Sequence, residues 1–312
     1  MRLATVSWDR RVVLGAVLGD AVLHVPACAA ALKRSGRWKG HAPLHMLEVV
    51  AGGSSALRGV RALCREGARR LASGTWRASA RSPLLRPIDH IRFLAPIPRP
   101  GKNVFCIGRN YAEHAKERQA GVPTIPVFFT KPPTSVIGHE SPVSYHRVTQ
   151  QLDYEVELAV VIGRKGVDIP RAKAYDYVFG YTILIDVTAR DLQKRHMQWF
   201  KGKSLDSFCP MGPWIIFKSA LADPHNLRIA LRVNGETRQA ASTADMVFTI
   251  PDLIAVLSAG MTLEPGDILA TGTPSGVAAG FDPPRWLHVG DVIEAEIEGI
   301  GVLRNRIVAP RS

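Results

Sequence analysis

Hydrophobic and polar positions alternate differently in the two parts of this chain of 312 residues. In the first part, apolar runs at 12–17 and 21–25 flank the turn-forming pair Gly19-Asp20, which predicts a hairpin. Apolar residues at helical spacing over 56–72, followed by Gly74, predict one helix. We therefore expect this part of the chain to form a small α+β unit.

After residue 101 the pattern changes to short apolar runs separated by glycine and proline. These runs predict strands at 103–107, 126–130, 152–162, 178–186, 213–217, 227–233, 267–271, 291–297 and 301–308. Helical spacing is confined to the segments 111–118, 188–199 and 250–259. Because strands dominate and do not alternate regularly with helices, the pattern predicts an α+β protein with a mixed, rolled sheet rather than a doubly wound fold.

The net charge of +13 is concentrated at one end of the sequence. Residues 1–100 hold 17 Lys and Arg against 5 Asp and Glu, whereas residues 101–312 hold 23 against 22. The change coincides with the proline-rich stretch 95–101, so we predict a small basic accessory domain over 1–97 and a catalytic domain over 98–312. The basic residues are dispersed, with no interleaved aromatic residues and no nucleic-acid reader motif, which argues against nucleic-acid binding.

The remaining composition points to a cytoplasmic protein with no membrane partner. No run of about 18 uncharged apolar residues occurs, so no transmembrane helix is expected. The N-terminus lacks the pattern of a signal peptide, and Asp9 and Asp20 argue against a transit peptide. The four cysteines, Cys28, Cys64, Cys106 and Cys209, form no C-x-x-C pair and are expected to be reduced thiols in the core.

Three acidic residues lie where two apolar strands are predicted. Glu155 and Glu157 are two positions apart on the strand 152–162, so both side chains point to one face. Asp186 follows at the end of the strand 178–186. Three hard oxygen ligands with no nearby Cys or His suit Mg²⁺ or Mn²⁺, or else Ca²⁺, better than zinc. A solvated strand face with alternating charge would give a similar pattern, but the apolar flanks argue against it.

Two further stretches carry candidate chemistry. In a helix over 111–118, His114 and Glu117 lie at i and i+3, where the carboxylate can orient the imidazole as a general base for water. An exposed helix would show the same spacing. In the stretch 199–206, Lys203 lies between Gly202 and Ser204 and could meet a substrate anion, although a surface turn would look similar.

Two familiar sequence motifs are each excluded by one residue. Gly202-Lys203-Ser204 resembles the end of a P-loop, but Met197 stands five residues before Gly202, where that motif requires glycine. Ser275 precedes Gly276 by one position, but Thr273 stands where a nucleophile elbow requires glycine. Neither a P-loop nucleotide site nor a serine hydrolase is therefore expected.

Taken together, the motifs resemble those of the fumarylacetoacetate hydrolase superfamily. They occur in family order as G-R-N-Y-x-x-H-x-x-E at 108–117, Lys131-Pro132, E-x-E at 155–157, D-x-T-A-R-D-x-Q at 186–193, K-G-K-S-x-D at 201–206 and T-G-T-P-x-G-V at 271–277. Six motifs in order are specific for the superfamily, but they do not identify a substrate. The resemblance implies a β-roll catalytic domain, usually a homodimer.

The resemblance also implies roles for individual residues. Glu155, Glu157 and Asp186 would bind Mg²⁺ or Mn²⁺, and the dyad of His114 and Glu117 would lie on a lid, which we place at 109–122. Lys203 would be catalytic, and the substrate-binding set would comprise Arg109, Asn110, Tyr111, Lys131, Arg190, Gln193 and Thr273. The segment before the dyad lacks the additional Asp ligand of the branch that acts on fumarylacetoacetate. The chain is therefore expected nearer the acylpyruvate-hydrolase and oxaloacetate-decarboxylase-like members.

These roles predict a metal-dependent hydrolase that cleaves a C–C bond in an acylpyruvate-type 1,3-diketo acid, as in the breakdown of aromatic compounds. The products would be pyruvate and a carboxylate, and the partner is a small anionic 2-oxo acid. Decarboxylation, isomerisation or ureidoglycolate cleavage of a related 2-oxo or 2-hydroxy acid is the alternative within enzymes. A non-catalytic protein that binds RNA or acidic partners through the basic N-terminal domain is the alternative of a different class.

Overall fold

The first part of the chain folds as strands covered by helices in the computed structural model, which describes residues 1–117 and 121–310. Its strands are β1 (Arg2–Trp8), β2 (Arg11–Leu18), β3 (Ala21–His24), β4 (Leu85–Pro87) and β5 (Arg92–Phe93). Its helices are α1 (Val25–Arg34), α2 (Met46–Ala51) and α3 (Gly53–Ala72). The predicted hairpin is confirmed as β2 and β3, and the predicted helix lies within α3.

The second part is richer in strands. These are β6 (Val104–Gly108), β7 (Val127–Lys131), β8 (Val136–Ile137), β9 (Val143–Ser144), β10 (Leu152–Asp153), β11 (Val156–Ile162), β12 (Val178–Ile185), β13 (Thr188–Ala189), β14 (Cys209–Phe217), β15 (Arg228–Val233), β16 (Glu236–Ser242), β17 (Ile268–Ala270), β18 (Val292–Ile297) and β19 (Gly301–Val308). Short helices connect them: α4 (Ala112–Glu117), α5 (Ala174–Tyr177), α6 (Arg190–Arg195), α7 (Phe200–Lys203) and α8 (Ile250–Ser258).

Most strands belong to two mixed sheets. The larger runs in the order β4-β3-β2-β1-β14-β12-β11-β17-β6-β7, with β5 beside β1 and β8 beside β14. The smaller has the order β16-β15-β18-β19-β9, and β10 pairs with β13 alone. Antiparallel and parallel pairs occur together, for instance β11 with β12 and β17 with β6. The predicted α+β class with a mixed sheet is therefore confirmed.

The larger sheet crosses the predicted domain boundary at residue 97. Strand β1 pairs with β14, with Arg2 opposite Ile216, and the amide of Phe217 donates to the carbonyl of Met1 at 2.9 Å. Buried side chains from both parts, such as Leu63 and Ile215, share one apolar cluster. The boundary itself stays a prediction, since a module can fold alone and still extend a neighbouring sheet.

Two predicted elements differ from the structure, and some observed elements, such as β1, α1 and β16, are not predicted by the sequence pattern. The strand predicted over 152–162 is interrupted after Asp153, whose carboxylate accepts from the amide of Tyr154 at 2.8 Å. The helix predicted over 188–199 is only α6, because Thr188–Ala189 instead pairs with β10. Strand β16 was not predicted at all, since its half-exposed sequence is mostly polar. In the described residues, no helix is both long and apolar enough to cross a membrane.

Candidate active site

The three predicted metal ligands come together where β11 begins and β12 ends. Antiparallel pairing places Val156 opposite Ile185, so Glu155 lies opposite Asp186, whose amide donates to the Glu155 carbonyl at 2.8 Å. Glu157 follows within β11 on the same face. One ligand oxygen from each of the three carboxylates lies within 4.8 Å of the others, and all three side chains are buried.

Buried cations surround two of these three acids. Lys203 donates to Glu155 at 2.6 Å and to Asp186 at 2.7 Å. Arg190 donates to Glu155 at 2.5 Å and to Asp153 at 2.7 Å. Three further buried contacts complete the network: Lys131 donates to Asp186 at 2.5 Å and to the carbonyls of Val187 and Lys203.

Glu157 differs from Glu155 and Asp186 in having no hydrogen bond or ion pair with a cation among the described residues. Within the described part of the chain, its one hydrogen bond comes from the amide of Gly272 at 2.8 Å. Burial raises the pKa of Glu157 well above its usual value, and the nearby Asp186 and Glu155 raise it further. Burial acts in the same direction on Glu155, but Lys203 and Arg190 outweigh it and lower the pKa of Glu155.

The donor set fits a divalent cation. Fully ionised, the acids Asp153, Glu155, Glu157 and Asp186 carry four negative charges, and the cations Lys131, Arg190 and Lys203 carry three positive charges. One negative charge is therefore left over, beside carboxylate oxygens only. Mg²⁺ or Mn²⁺ suits such oxygen ligands, and its two charges would turn the excess of minus one into plus one. A centre of that charge suits an anionic substrate.

His114 and Glu117 form the predicted dyad on α4. The Nδ1 atom of His114 lies 3.1 Å from Glu117 Oε2, and the amide of Gly276 donates to Glu117 Oε1 at 2.8 Å. Because a carboxylate only accepts, a neutral His114 ring in this arrangement carries its proton on Nδ1 and leaves Nε2 as the acceptor. The loop that contains Gly276 therefore orients the dyad.

A cavity of about 320 Å³ joins the two glutamates to the dyad. It is lined by Ile107, Gly108, Arg109, His114, Phe129, Glu155, Glu157, Arg190, Gln193, Lys194, Met197, Trp199, Lys203 and Thr273. Eight of the predicted site residues line this cavity: Glu155, Glu157, His114, Lys203, Arg109, Arg190, Gln193 and Thr273. The sequence-based set therefore converges on one cavity from separate motifs.

Arg109 is one of two cations in this cavity, the other being Lys194, that have no acidic partner among the described residues. Its guanidinium lies 5.5 Å from the centre of the Trp199 ring, and its backbone φ of 60° is in the left-handed region. Gly108 allows this packing, because a side chain at 108 would overlap the Trp199 ring. A strained backbone that holds an unpaired cation at a cavity wall is typical of a functional position.

Other predicted residues lie behind the cavity wall. The Asn110 amide donates to the carbonyls of Phe248 and Thr271 at 3.1 and 2.7 Å, and its oxygen accepts from the amide of Phe248 at 2.7 Å. Lys131 is fully buried beneath Asp186. Tyr111 is also buried, and its hydroxyl has no hydrogen-bond partner in the described residues. These contacts support positioning roles for Asn110 and Lys131, while direct substrate contact by these residues stays a prediction.

The sequence did not single out several residues that shape the site. Asp153 accepts from Arg190 and from the amide of Ala278, the latter at 2.6 Å. Its position in the run Asp-Tyr-Glu-Val-Glu was the available signal. Lys194, within α6, and Met197, just after it, also line the cavity. Gln239 bonds the main chain between Glu155 and Glu157, but it lies 83 residues from that strand, so no local pattern could reveal it.

The predicted lid at 109–122 is only partly described. Residues 109–117 are held in place by Asn110 and by the contacts of Glu117 with the loop at Gly276. Residues 118–120, which belong to the predicted lid, lie outside the described residues. Opening of this segment stays a prediction.

Comparison with known proteins agrees with this geometry. Residues 103–308 match the family model for the C-terminal domain of fumarylacetoacetate hydrolase. The chain is 56% identical over 223 residues to oxaloacetate tautomerase YisK of Bacillus subtilis, covering 70% of this chain and 74% of the relative. It is 46% identical over 232 residues to the human mitochondrial oxaloacetate tautomerase FAHD2A, covering 74% and 73% of the two chains.

Solved structures with the same fold cover nearly the whole chain. Fumarylacetoacetate hydrolase from Exiguobacterium antarcticum superposes with a TM-score of 0.79 at 39% identity, covering 99% of both chains. Maleylpyruvate hydrolase from Sphingobium sp. SYK-6, in complex with manganese(II) and pyruvate, superposes with a TM-score of 0.75 at 30% identity, covering 100% of both chains. The chain therefore belongs to the fumarylacetoacetate hydrolase family of enzymes.

Proposed function

We propose that this protein catalyses keto–enol interconversion of oxaloacetate or a closely similar 2-oxo dicarboxylate, with a divalent cation as cofactor. The observation that carries the proposal is one cavity lined by two of the three clustered carboxylates, Glu155 and Glu157, by the oriented His114 and by Arg109, which has no acidic partner among the described residues. The names of the tautomerase relatives support the same substrate. This proposal replaces acylpyruvate hydrolysis, the reaction expected from sequence, as the first candidate.

The residues of the cavity divide the work of binding. Glu155, Glu157 and Asp186 would hold Mg²⁺ or Mn²⁺, which supplies Lewis acidity to a 2-oxo acid when bound. Arg109 is placed to pair with the second carboxylate of the substrate, because its guanidinium has no competing acid among the described residues. Gln193 and Thr273 line the remaining wall and can bond substrate oxygens.

Proton movement is assigned to the dyad. His114 Nε2 would accept the proton that leaves C3 of the keto acid, and Glu117 would stabilise the resulting imidazolium. The ammonium of Lys203 would stabilise negative charge that develops on the C2 oxygen. The C3–H bond breaks, and the protonated His114 would return the proton to the C2 oxygen, where the O–H bond forms, so the substrate has no net gain or loss of atoms.

Acylpyruvate hydrolysis remains the second candidate because the same dyad can draw a proton from water. The neighbouring maleylpyruvate hydrolase structure, which contains pyruvate, supports it. Decarboxylation, isomerisation and ureidoglycolate cleavage use the same type of site and are distinguished by substrate. Homodimer formation and a cytoplasmic location are also proposals, and the proposed tautomerase activity depends on neither.

A substrate panel tests the proposal. Purified protein with Mg²⁺ or Mn²⁺ is given oxaloacetate and a set of acylpyruvates, and enol and diketone absorbance are followed with and without chelator. We expect metal-dependent tautomerisation that falls at least about 100-fold in His114→Ala, since a positioned general base contributes about 10²–10⁴-fold. The exposed His90 provides the control variant His90→Ala.

Each result of the panel has a defined meaning. Diketone loss without effect on oxaloacetate would replace the tautomerase proposal by hydrolysis. Full turnover in chelator would contradict the role of the cation. Salt-dependent RNA binding without any metal-dependent turnover would favour the non-catalytic alternative, which uses the basic residues of 1–97.

A further inference from the structure

We propose that Gln239 forces the hydroxyl of Thr273 to act as a hydrogen-bond donor towards the ligand in the cavity. Gln239 is thus a positioning residue that acts through Thr273, and this role rests on the proposed function only in requiring an oxygen-rich ligand. Gln239 lies on β16, and its side chain is fully buried.

Three hydrogen bonds fix the Gln239 side chain. Its Oε1 atom accepts from the amide of Val156 at 3.0 Å. Its Nε2 atom donates to Thr273 Oγ1 at 2.8 Å and to the carbonyl of Pro274 at 2.9 Å. One amide therefore links the strand that carries Glu155 and Glu157 to the loop that carries Thr273.

The orientation of this amide follows from its partners. The Val156 N–H can only donate, so it must face the oxygen of Gln239. The Pro274 carbonyl can only accept, so it must face the nitrogen. A flipped amide would lose both bonds, and each lost bond in a buried setting costs about 1–3 kcal/mol. The nitrogen therefore faces Thr273, and Thr273 Oγ1 is the acceptor.

The Thr273 hydroxyl has a single proton to donate. Since Gln239 donates to Oγ1, the Thr273 proton points elsewhere, and no acceptor for it occurs in the part of the chain that the structure describes. Thr273 lines the cavity. A ligand oxygen is the acceptor that the cavity lacks, so Thr273 favours a carboxylate or oxo group at this wall.

The loop around Thr273 also contacts a metal ligand and the dyad. The amide of Gly272, before Thr273, donates to Glu157, and the amide of Gly276, after it, donates to Glu117. Gly272 has a φ of +97°, which an L side chain rarely adopts. Gln239 holds the middle of the loop, between its contacts to a metal ligand and to the dyad.

Four variants test the role through ligand binding rather than turnover. Thr273→Val removes the hydroxyl at nearly equal volume, and Thr273→Ser retains it. Gln239→Glu still accepts from Val156, but its carboxylate would also accept from Thr273 and turn the proton away from the cavity. Gln239→Glu with Thr273→Val completes a double-mutant cycle. Thr237→Ala, exposed on the same strand, is the control.

Calorimetric titration of oxalate into each protein with saturating Mg²⁺ is the measurement, and Mg²⁺ affinity is measured separately. We expect Thr273→Val and Gln239→Glu each to weaken oxalate binding by at least about tenfold, since a hydrogen bond to a charged group is worth about 1.5–3 kcal/mol. Thr273→Ser and Thr237→Ala should stay within about threefold, and the double variant should bind no more weakly than Thr273→Val, because both changes remove one interaction.

Should Gln239→Glu fail to fold, Gln239→Met takes its place. The Thr273 hydroxyl would then rotate freely, so oxalate affinity should fall several-fold, and adding Thr273→Val should cost less than in the parent. Unchanged oxalate affinity in Gln239→Glu, or additive losses in the double variant, would overturn the role of Gln239 while leaving the proposed function intact. Absence of oxalate binding by the parent protein would remove both proposals.

Discussion

Charged residues differ in exposure between the first 97 residues and the carboxylate cluster formed by Glu155, Glu157 and Asp186. In α3, Glu66 pairs with Arg69, whose side chain is 59% exposed. At the cluster, the side chains of Lys203 and Arg190 are each 3% exposed and bond the same Glu155. The same types of charged residue are thus exposed to solvent in α3, whereas at the cluster they are buried and bond one another.

The difference shows which charges serve chemistry. Exposed pairs are screened and contribute little to stability, so the Arg-rich surface of α3 needs no specific partner. Buried charges lose their hydration and are retained only where neighbours compensate them. The cluster leaves Glu157 without a hydrogen bond from any cation among the described residues, and this incomplete compensation is what a divalent cation would correct.

The largest effect should come from breaking the buried network. Lys131→Met removes one of the two lysines that donate to Asp186 and the donor to the carbonyls of Val187 and Lys203, so we expect a loss of about 3–5 kcal/mol in the free energy of unfolding. Urea denaturation measures it. Arg69→Ala in α3 is the matched control and should leave that free energy nearly unchanged. Equal effects from both substitutions would refute the distinction between the two regions.

A smaller effect is expected when charge is removed from the unpaired acid. Glu157→Gln can still accept from Gly272, but it should weaken Mg²⁺ or Mn²⁺ binding at least tenfold, about 1.4 kcal/mol. Because burial raises the pKa of Glu157, the metal-free variant should be as stable as the parent or more stable. Calorimetry and thermal unfolding in chelator measure the two quantities. A variant that binds metal normally would exclude Glu157 as a ligand.

Acid should act on the first region through a single histidine. The Nδ1 atom of His24 accepts from the amide of Ala27 at the start of α1, and burial lowers the pKa of His24 below its usual 6.5. Stability from neutral His24 is therefore present above pH 6.5 and is lost as the pH falls through the lowered folded-state pKa. His24→Asn keeps a capping side chain that does not titrate.

Thermal unfolding between neutral and mildly acidic pH tests this prediction. The parent should lose about 1 kcal/mol, the usual value of an N-cap, whereas His24→Asn should lose less. Identical pH dependence of the two proteins would show that His24 does not control the acid sensitivity of this region.

The smallest difference concerns the cysteines, which are alike in both regions. Burial raises the pKa of Cys28 to about 12, of Cys64 to about 11 and of Cys209 to about 12, and that of Cys106 well above its usual value. All four are free thiols, as expected from sequence. Native protein at pH 8 should resist iodoacetamide, with Cys64 labelled first because it is 8% exposed. Rapid labelling of Cys106 would show that the sheet opens.

Local sequence pattern determined the chemical groups of the site. Strand periodicity placed Glu155 and Glu157 on one face, and helical spacing placed His114 within reach of Glu117, as the 3.1 Å contact confirms. Such patterns are readable because residues two apart on a strand or three apart on a helix are neighbours whatever the rest of the chain does.

Tertiary structure decided how those groups are held. The contact of Gln239 with Val156 spans 83 residues, and that of Asp153 with Ala278 spans 125, so neither leaves a local periodic signal. The same holds for β1, which reaches across the chain to pair with β14. Electrostatic compensation depends on distance in space rather than along the chain. It is therefore fixed only when distant segments meet which buried charge has a partner and which one is left for a cation.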